Sequence, residues 1–90
     1  MAAELIYQYR EPVRGAENAT YVAQAWAQRN GRWHSWLVFI GADGSILRTP
    51  REKTYASRDA VLVWAVSLRG PDLGHALRRA VPATAELPAA

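Results

Sequence analysis

Residues 20–49 read TYVAQAWAQRNGRWHSWLVFIGADGSILRT, and the two turns inside this stretch decide the fold. Two runs rich in β-branched and aromatic residues flank Asn30-Gly31, and Asp43-Gly44 returns the chain into Ser45-Ile46-Leu47. Both dipeptides supply the positive φ that tight hairpins require, so the stretch predicts three consecutive antiparallel strands.

The first hairpin has two registers open to it, and they place different residues on the two faces. With Asn30-Gly31 as a two-residue loop, Ala23, Ala25 and Ala27 share a face with His34, Trp36, Val38 and Ile40. With Gly31 as the left-handed residue of a three-residue turn, Trp33, Ser35, Leu37 and Phe39 move to the alanine face, and Trp36 joins Gln24 and Trp26. In both, the alanine stripe admits a closely packed helix. The opposite face carries Trp26 between Gln24 and Gln28, with at least one further tryptophan.

Working outward, residues 5–10 (LIYQYR) alternate as a short edge strand that Glu11-Pro12 ends, and residues 13–19 read as a polar loop. After the hairpins, residues 48–58 (RTPREKTYASR) form a basic connector in which Pro50 stops an interior strand. Residues 60–68 are apolar almost throughout and contain three valines, so a buried strand is the alternative to a helix. Ser57 as N-cap, Asp59 in the first turn, Gly70 as terminator and Pro71 beyond it favour a helix over 57–69. Val61, Trp64, Ala65 and Leu68 form its stripe for the alanine face, whereas Leu62 and Val66 need other cover. A second, shorter helix starting near Asp72, with Leu73, Ala76, Leu77 and Ala80 on its apolar side, is the element available to supply it. The expected architecture is α+β: a three- to four-stranded antiparallel sheet with one principal helix on one face and a short C-terminal helix. Residues 1–80 make one domain and 81–90, rich in Ala and Pro, a flexible tail.

At 90 residues the chain holds a single small core, burying about 60–65% of the surface it exposes when unfolded. A partner chain would add to a margin of a few kcal/mol. The net charge of +3 is carried by arginine almost alone, since Lys53 is the only lysine. That balance permits a nucleic-acid partner without demanding one. Without cysteine there is no disulfide framework and no thiol or zinc-cysteine chemistry. The first ten residues lack the basic and apolar regions of an export signal, and no apolar run reaches membrane-spanning length, so a cytoplasmic protein is expected.

No catalytic, metal or nucleotide-binding motif stands out. Asp43 belongs to a turn, and Asp59 and Asp72 to helix starts, which gives each a structural reason to exist. Asp72 and His75 are three apart, a metal-ligand spacing, but no third ligand accompanies them. The residues that point to a function lie on surfaces. Trp26, Trp33 and Trp36 are candidate anchors of a protein interface, with Arg48, Arg51, Glu52 and Arg58 as its polar rim. The rival reading joins the arginines of the connector to exposed tryptophans in a single-strand nucleic-acid surface.

The W-x-x-W-L-x-F strand at 33–39, the L-R-T-x-R-E-x-T connector at 47–54 and the W-A-x-x-L helix at 64–68 resemble a group of small uncharacterised bacterial proteins. The resemblance covers about half the chain and implies no activity. It supports a helix over 60–68 and draws attention to Arg48, Thr49, Arg51, Glu52 and Thr54. The strand-strand-strand-helix order also resembles HicB-like antitoxins and double-stranded-RNA-binding domains in topology. The lysine cluster of the latter is missing, with only Ser57-Arg58 at the corresponding helix start. The sequence therefore predicts a non-enzymatic interaction or regulatory module without cofactors, self-associating as a dimer or docking on another protein, with nucleic acid as the rival partner.

Overall fold

The computed structural model describes residues 2–83, which form a mixed α+β domain with one antiparallel sheet and two helices. The centre of the sheet is the hairpin of β3 (Thr20–Asn30) and β4 (Arg32–Gly41). Asn30 stands opposite Arg32 across Gly31, whose φ is 76°, and Trp26 stands opposite Trp36. The second of the two registers is thus the one formed. Gly31 adopts the left-handed conformation that a residue with a Cβ reaches only at about 1–2 kcal/mol.

Seven strands are present where three or four were expected, because two of the ladder positions are interrupted and residues 81–82 add a further short strand. On one side of β3 lie β1 (Glu4–Gln8) and the two-residue β2 (Val13–Arg14), separated by the segment that contains Pro12. On the outer side of β4 lie β5 (Ile46–Arg48) and β6 (Lys53–Tyr55), separated by the segment that contains Pro50. The second gap is bridged. Thr49, fully buried, donates its backbone N–H to the Leu37 carbonyl and accepts the Leu37 N–H on Oγ1 at 3.0 Å, while the Glu52 N–H donates to Ser35. Residues 16–18, expected as loop, make a 3-10 turn in which Glu17 and Asn18 have positive φ.

Helix α1 (Arg58–Ser67) begins as expected, with Ser57 Oγ accepting the Ala60 N–H at 3.2 Å. It stops at the C-cap Leu68, so Gly70 does not terminate it. Gly70 instead opens α2 (Gly70–Arg79), where Pro71 sits in the first turn without an N–H to leave unpaired, and Asp72 Oδ2 accepts the Arg69 N–H at 2.8 Å. Val81–Pro82, expected in a flexible tail, instead form β7 and pair with β5. Residues 84–90 lie outside the described residues. No helix among the described residues is long and apolar enough to cross a membrane.

Both helices lie on the alanine face. Ala23, Ala25, Ala27, Leu37 and Phe39 pack there with Val61, Trp64 and Ala65 of α1 and Leu73, Ala76 and Leu77 of α2. The small alanine side chains let α1 approach β1, β4 and β6, whereas α2 packs against β2. For that reason α2 does not cover the outer side of α1, and Val63 and Val66 remain 66% and 46% exposed. Tyr9 ties the layers together, its Oη donating to the Ala65 carbonyl at 2.5 Å.

Burial, and secondarily Tyr7, raise the Tyr9 pKa well above the ordinary tyrosine value. Because the folded value is raised, its contribution to stability is complete below about pH 10, where the unfolded tyrosine ionises, and is lost as pH climbs toward the folded value. Tyr9→Phe, which leaves the Ala65 carbonyl without this donor, should lower stability by about 1 kcal/mol at neutral pH. In urea titrations, wild type should lose stability above pH 10 more steeply than the variant.

Candidate interaction surfaces

With both helices on one side, the other side of the sheet has no covering layer. Side chains alternate across a strand, so this face is built from Leu5 and Gln8 of β1, Arg14 of β2, Val22, Gln24, Trp26 and Gln28 of β3, Arg32, His34, Trp36, Val38 and Ile40 of β4, Ile46 and Arg48 of β5, Thr54 of β6 and Val81 of β7. Leu5, Val22 and Ile46 are 40%, 41% and 40% exposed. Its charged side chains are Arg14 on the edge strand, Arg32 beside the hairpin turn and Arg48 on β5.

The polar groups of this face are organised mainly among themselves. Trp26 Nε1 donates to Gln24 Oε1 at 2.9 Å, and Gln24 Nε2 donates to Gln8 Oε1 at 2.8 Å, making a chain across β1 and β3. His34 Nδ1 lies 3.2 Å from Thr54 Oγ1. Trp36 is 5% exposed although no helix covers it, because its neighbours close over it. The Arg48 guanidinium sits 4.5 Å from the Trp36 ring centroid, and Arg48 Nε donates to the Thr49 carbonyl at 3.2 Å. Burial, then the neighbouring Arg51, lower the Arg48 pKa from the usual arginine value. Trp36 Nε1 is buried without a hydrogen-bond partner among the described residues.

The seven residues expected at an interface are therefore divided. Trp26, Trp36 and Arg48 are gathered on the open face. Trp33, opposite Tyr55, lies on the helix side and packs against the core. Arg51 is exposed beyond β5. Glu52 Oε1 accepts from Arg79 at 2.6 Å and Arg58 Nε donates to Glu4 at 2.7 Å, so these two anchor the sheet margins to other elements. The basic connector does not form one strip: Arg48 lies over a tryptophan, and Lys53, opposite Ser35, belongs to the helix side. Sequence reasoning missed Leu5, Val22 and Ile46, whose facing follows only from the register.

Asp72 and His75 border a cavity of about 210 Å³ together with Glu52, Lys53 and Arg79. Asp72 already serves as a helix cap, and no group of three or more His, Cys, Asp and Glu capable of holding a metal ion occurs among the described residues. Asp43 accepts the Ser45 N–H at 2.9 Å, and its hydrogen bonds to Ser45 lower its pKa, the turn role expected of it.

Two terms hold Arg48 over Trp36: cation–π attraction and coverage of the ring by the side-chain stem. Arg48→Ala should lower stability by about 1 kcal/mol and shift tryptophan emission to longer wavelength as the Trp36 ring gains water. Arg48→Met, which keeps the stem, should shift the emission less; equal shifts would show that coverage is not the stem's role.

Comparison with protein-family models, curated proteins and solved structures returned no match.

Proposed function

We propose that the protein is a small non-enzymatic interaction or regulatory module that self-associates through the open face of its sheet. The observation that carries this reading is the one-sided layering: the helices leave Leu5, Val22 and Ile46 exposed around Trp26 on a face whose charged residues, Arg14, Arg32 and Arg48, lie toward its margins. An antiparallel sheet with one face solvated ordinarily presents a polar row there. This one alternates apolar side chains with glutamine.

The occupant that fits is a second copy. A surface whose central strands present apolar and amide side chains matches another of the same kind, and the identical face of a second protomer is one. A two-fold axis through the face would bring Val22, Ile40 and Ile46 against their symmetry mates, as in sheet-on-sheet packing at about 10 Å. Four ladder positions spaced by about 4.8 Å and some 30 Å long give a face on the order of 600 Å² in projection. That is comparable with the roughly 800 Å² of accessible surface per partner in a stable interface. Arg48 is held over Trp36 at the β5 side of this face, while the Gln8–Gln24–Trp26 chain supplies polar groups without net charge. Nucleic acid is the weaker reading for this face, since Trp36 is buried beneath Arg48 and Trp33 lies on the other side.

In sedimentation equilibrium the protein should behave as a dimer whose affinity hardly changes with salt, because the contact is uncharged. Val22→Glu with Ile46→Glu, both at exposed positions, should give a folded monomer. A monomeric wild type at high micromolar concentration, or a double variant that still dimerises, would refute the reading.

A further inference from the structure

On the helix side, α2 and the β1–β2 segment enclose two adjoining cavities of about 490 and 440 Å³ that share Arg14 and Gly74 along their borders. Arg10 and Arg69 line one, Arg78 lines the other, and Glu11 is the only acidic residue bordering either. All four arginines are exposed, and the two ion pairs among the described residues, Arg58–Glu4 and Arg79–Glu52, involve none of them. Four of the chain's eleven Lys and Arg residues therefore border one channel, against a single acid. On α2, residues 70, 74 and 78 are four apart and share a helix face, here Gly70, Gly74 and Arg78. A Cβ placed at Gly74 would meet nothing within 4 Å, so packing does not require glycine there. Inside a helix glycine costs about 1 kcal/mol relative to alanine. Its consequence is a low floor where the two cavities meet. Each cavity also has one half-buried tyrosine on its border: Tyr7, whose ring meets Tyr9 edge-on at 4.9 Å, and Tyr21.

We infer that this channel is a binding site for single-stranded nucleic acid, with Arg14 and Arg78 neutralising phosphates and Tyr7 and Tyr21 as platforms for bases. Arginines interleaved with aromatic rings along a groove are the physical requirement for such a strand. Both cavities are partly open to solvent, whereas a small-molecule site encloses most of its ligand, which favours a continuing chain over a single nucleotide. Tyr7, Tyr21 and the α2 residues of the channel lie on the helix side of the sheet, and Arg14, opposite Thr20 on the edge strand β2, borders it from the sheet margin, so substitutions in the channel and on the dimer face test the two readings separately.

Anisotropy of a labelled mixed-sequence single-stranded DNA of about 12 nucleotides tests it. Wild type should bind with log K falling against log salt at a slope of about −2, for three phosphates neutralised. Arg14→Gln with Arg78→Gln should weaken binding at least tenfold at low salt and make the slope shallower by about 1.4. Gly74→Gln, which fills the floor at a half-buried helix position where a Cβ meets nothing within 4 Å, should weaken binding several-fold with an unchanged circular dichroism spectrum and melting temperature. Arg29→Gln with Arg32→Gln, an equal loss of charge at the distant hairpin tip, should leave binding intact. Failure of wild type to bind, equal weakening by the hairpin-tip pair, wild-type binding by Gly74→Gln, or equal competition by polyglutamate would each overturn the inference, the last in favour of an acidic protein segment.

Discussion

The phase of the β3–β4 hairpin is the constraint on which the rest of the structure depends. Gly31, alone between the paired Asn30 and Arg32, accepts a φ of 76° and so places Trp26 opposite Trp36. Because side chains alternate with a period of two, a shift of one residue would exchange the faces of β4. Leu37 and Phe39 would leave the core, and Trp36 and Val38 would turn toward the helices. The observed phase puts the smallest side chains of β3 and the apolar side chains of β4 beneath α1, and it leaves both Trp26 and Trp36 on the open face. Folding and the proposed association thus follow from one turn.

The two sides of the sheet differ in the physics they offer a partner. The helix side carries charge: Arg79–Glu52 lies there, as do the arginines along the α2 channel. The open side carries its charge toward the margins, at Arg14 and Arg32, and its Arg48 is laid over an aromatic ring. Screening by salt weakens contacts of the first kind and hardly touches the second. A molecule arranged in this way can associate through one side and meet a polyanion on the other without either event blocking the other.

Much of this was readable in the sequence because it rests on local chemistry. Asn30-Gly31 and Asp43-Gly44 mark turns whatever surrounds them, the Ser57 cap marks a helix start, and the Val61, Trp64, Ala65 stripe marks the buried side of α1. What was not readable depends on distant partners. The register needed the backbone conformation at Gly31. Gly70 was read as a helix terminator because a glycine after an apolar run usually is one, yet α1 already ends at Leu68 and Pro71 suits the first turn of α2. The pairing of Val81–Pro82 with β5 is a non-local contact that an Ala/Pro-rich composition conceals. The site residues divided for the same reason: tryptophans close in sequence fall on opposite faces of one strand.

The central claim is that the open sheet face is covered by a second copy. The most direct measurement is an isotope-filtered NOE experiment on an equal mixture of ¹³C-labelled and unlabelled protein, which records only contacts between protomers. The account predicts intermolecular contacts from the methyl groups of Val22, Ile40 and Ile46 to their counterparts and to the Trp26 ring. Intermolecular contacts from Val63 and Val66 on the outer side of α1, with none from the sheet, would contradict it.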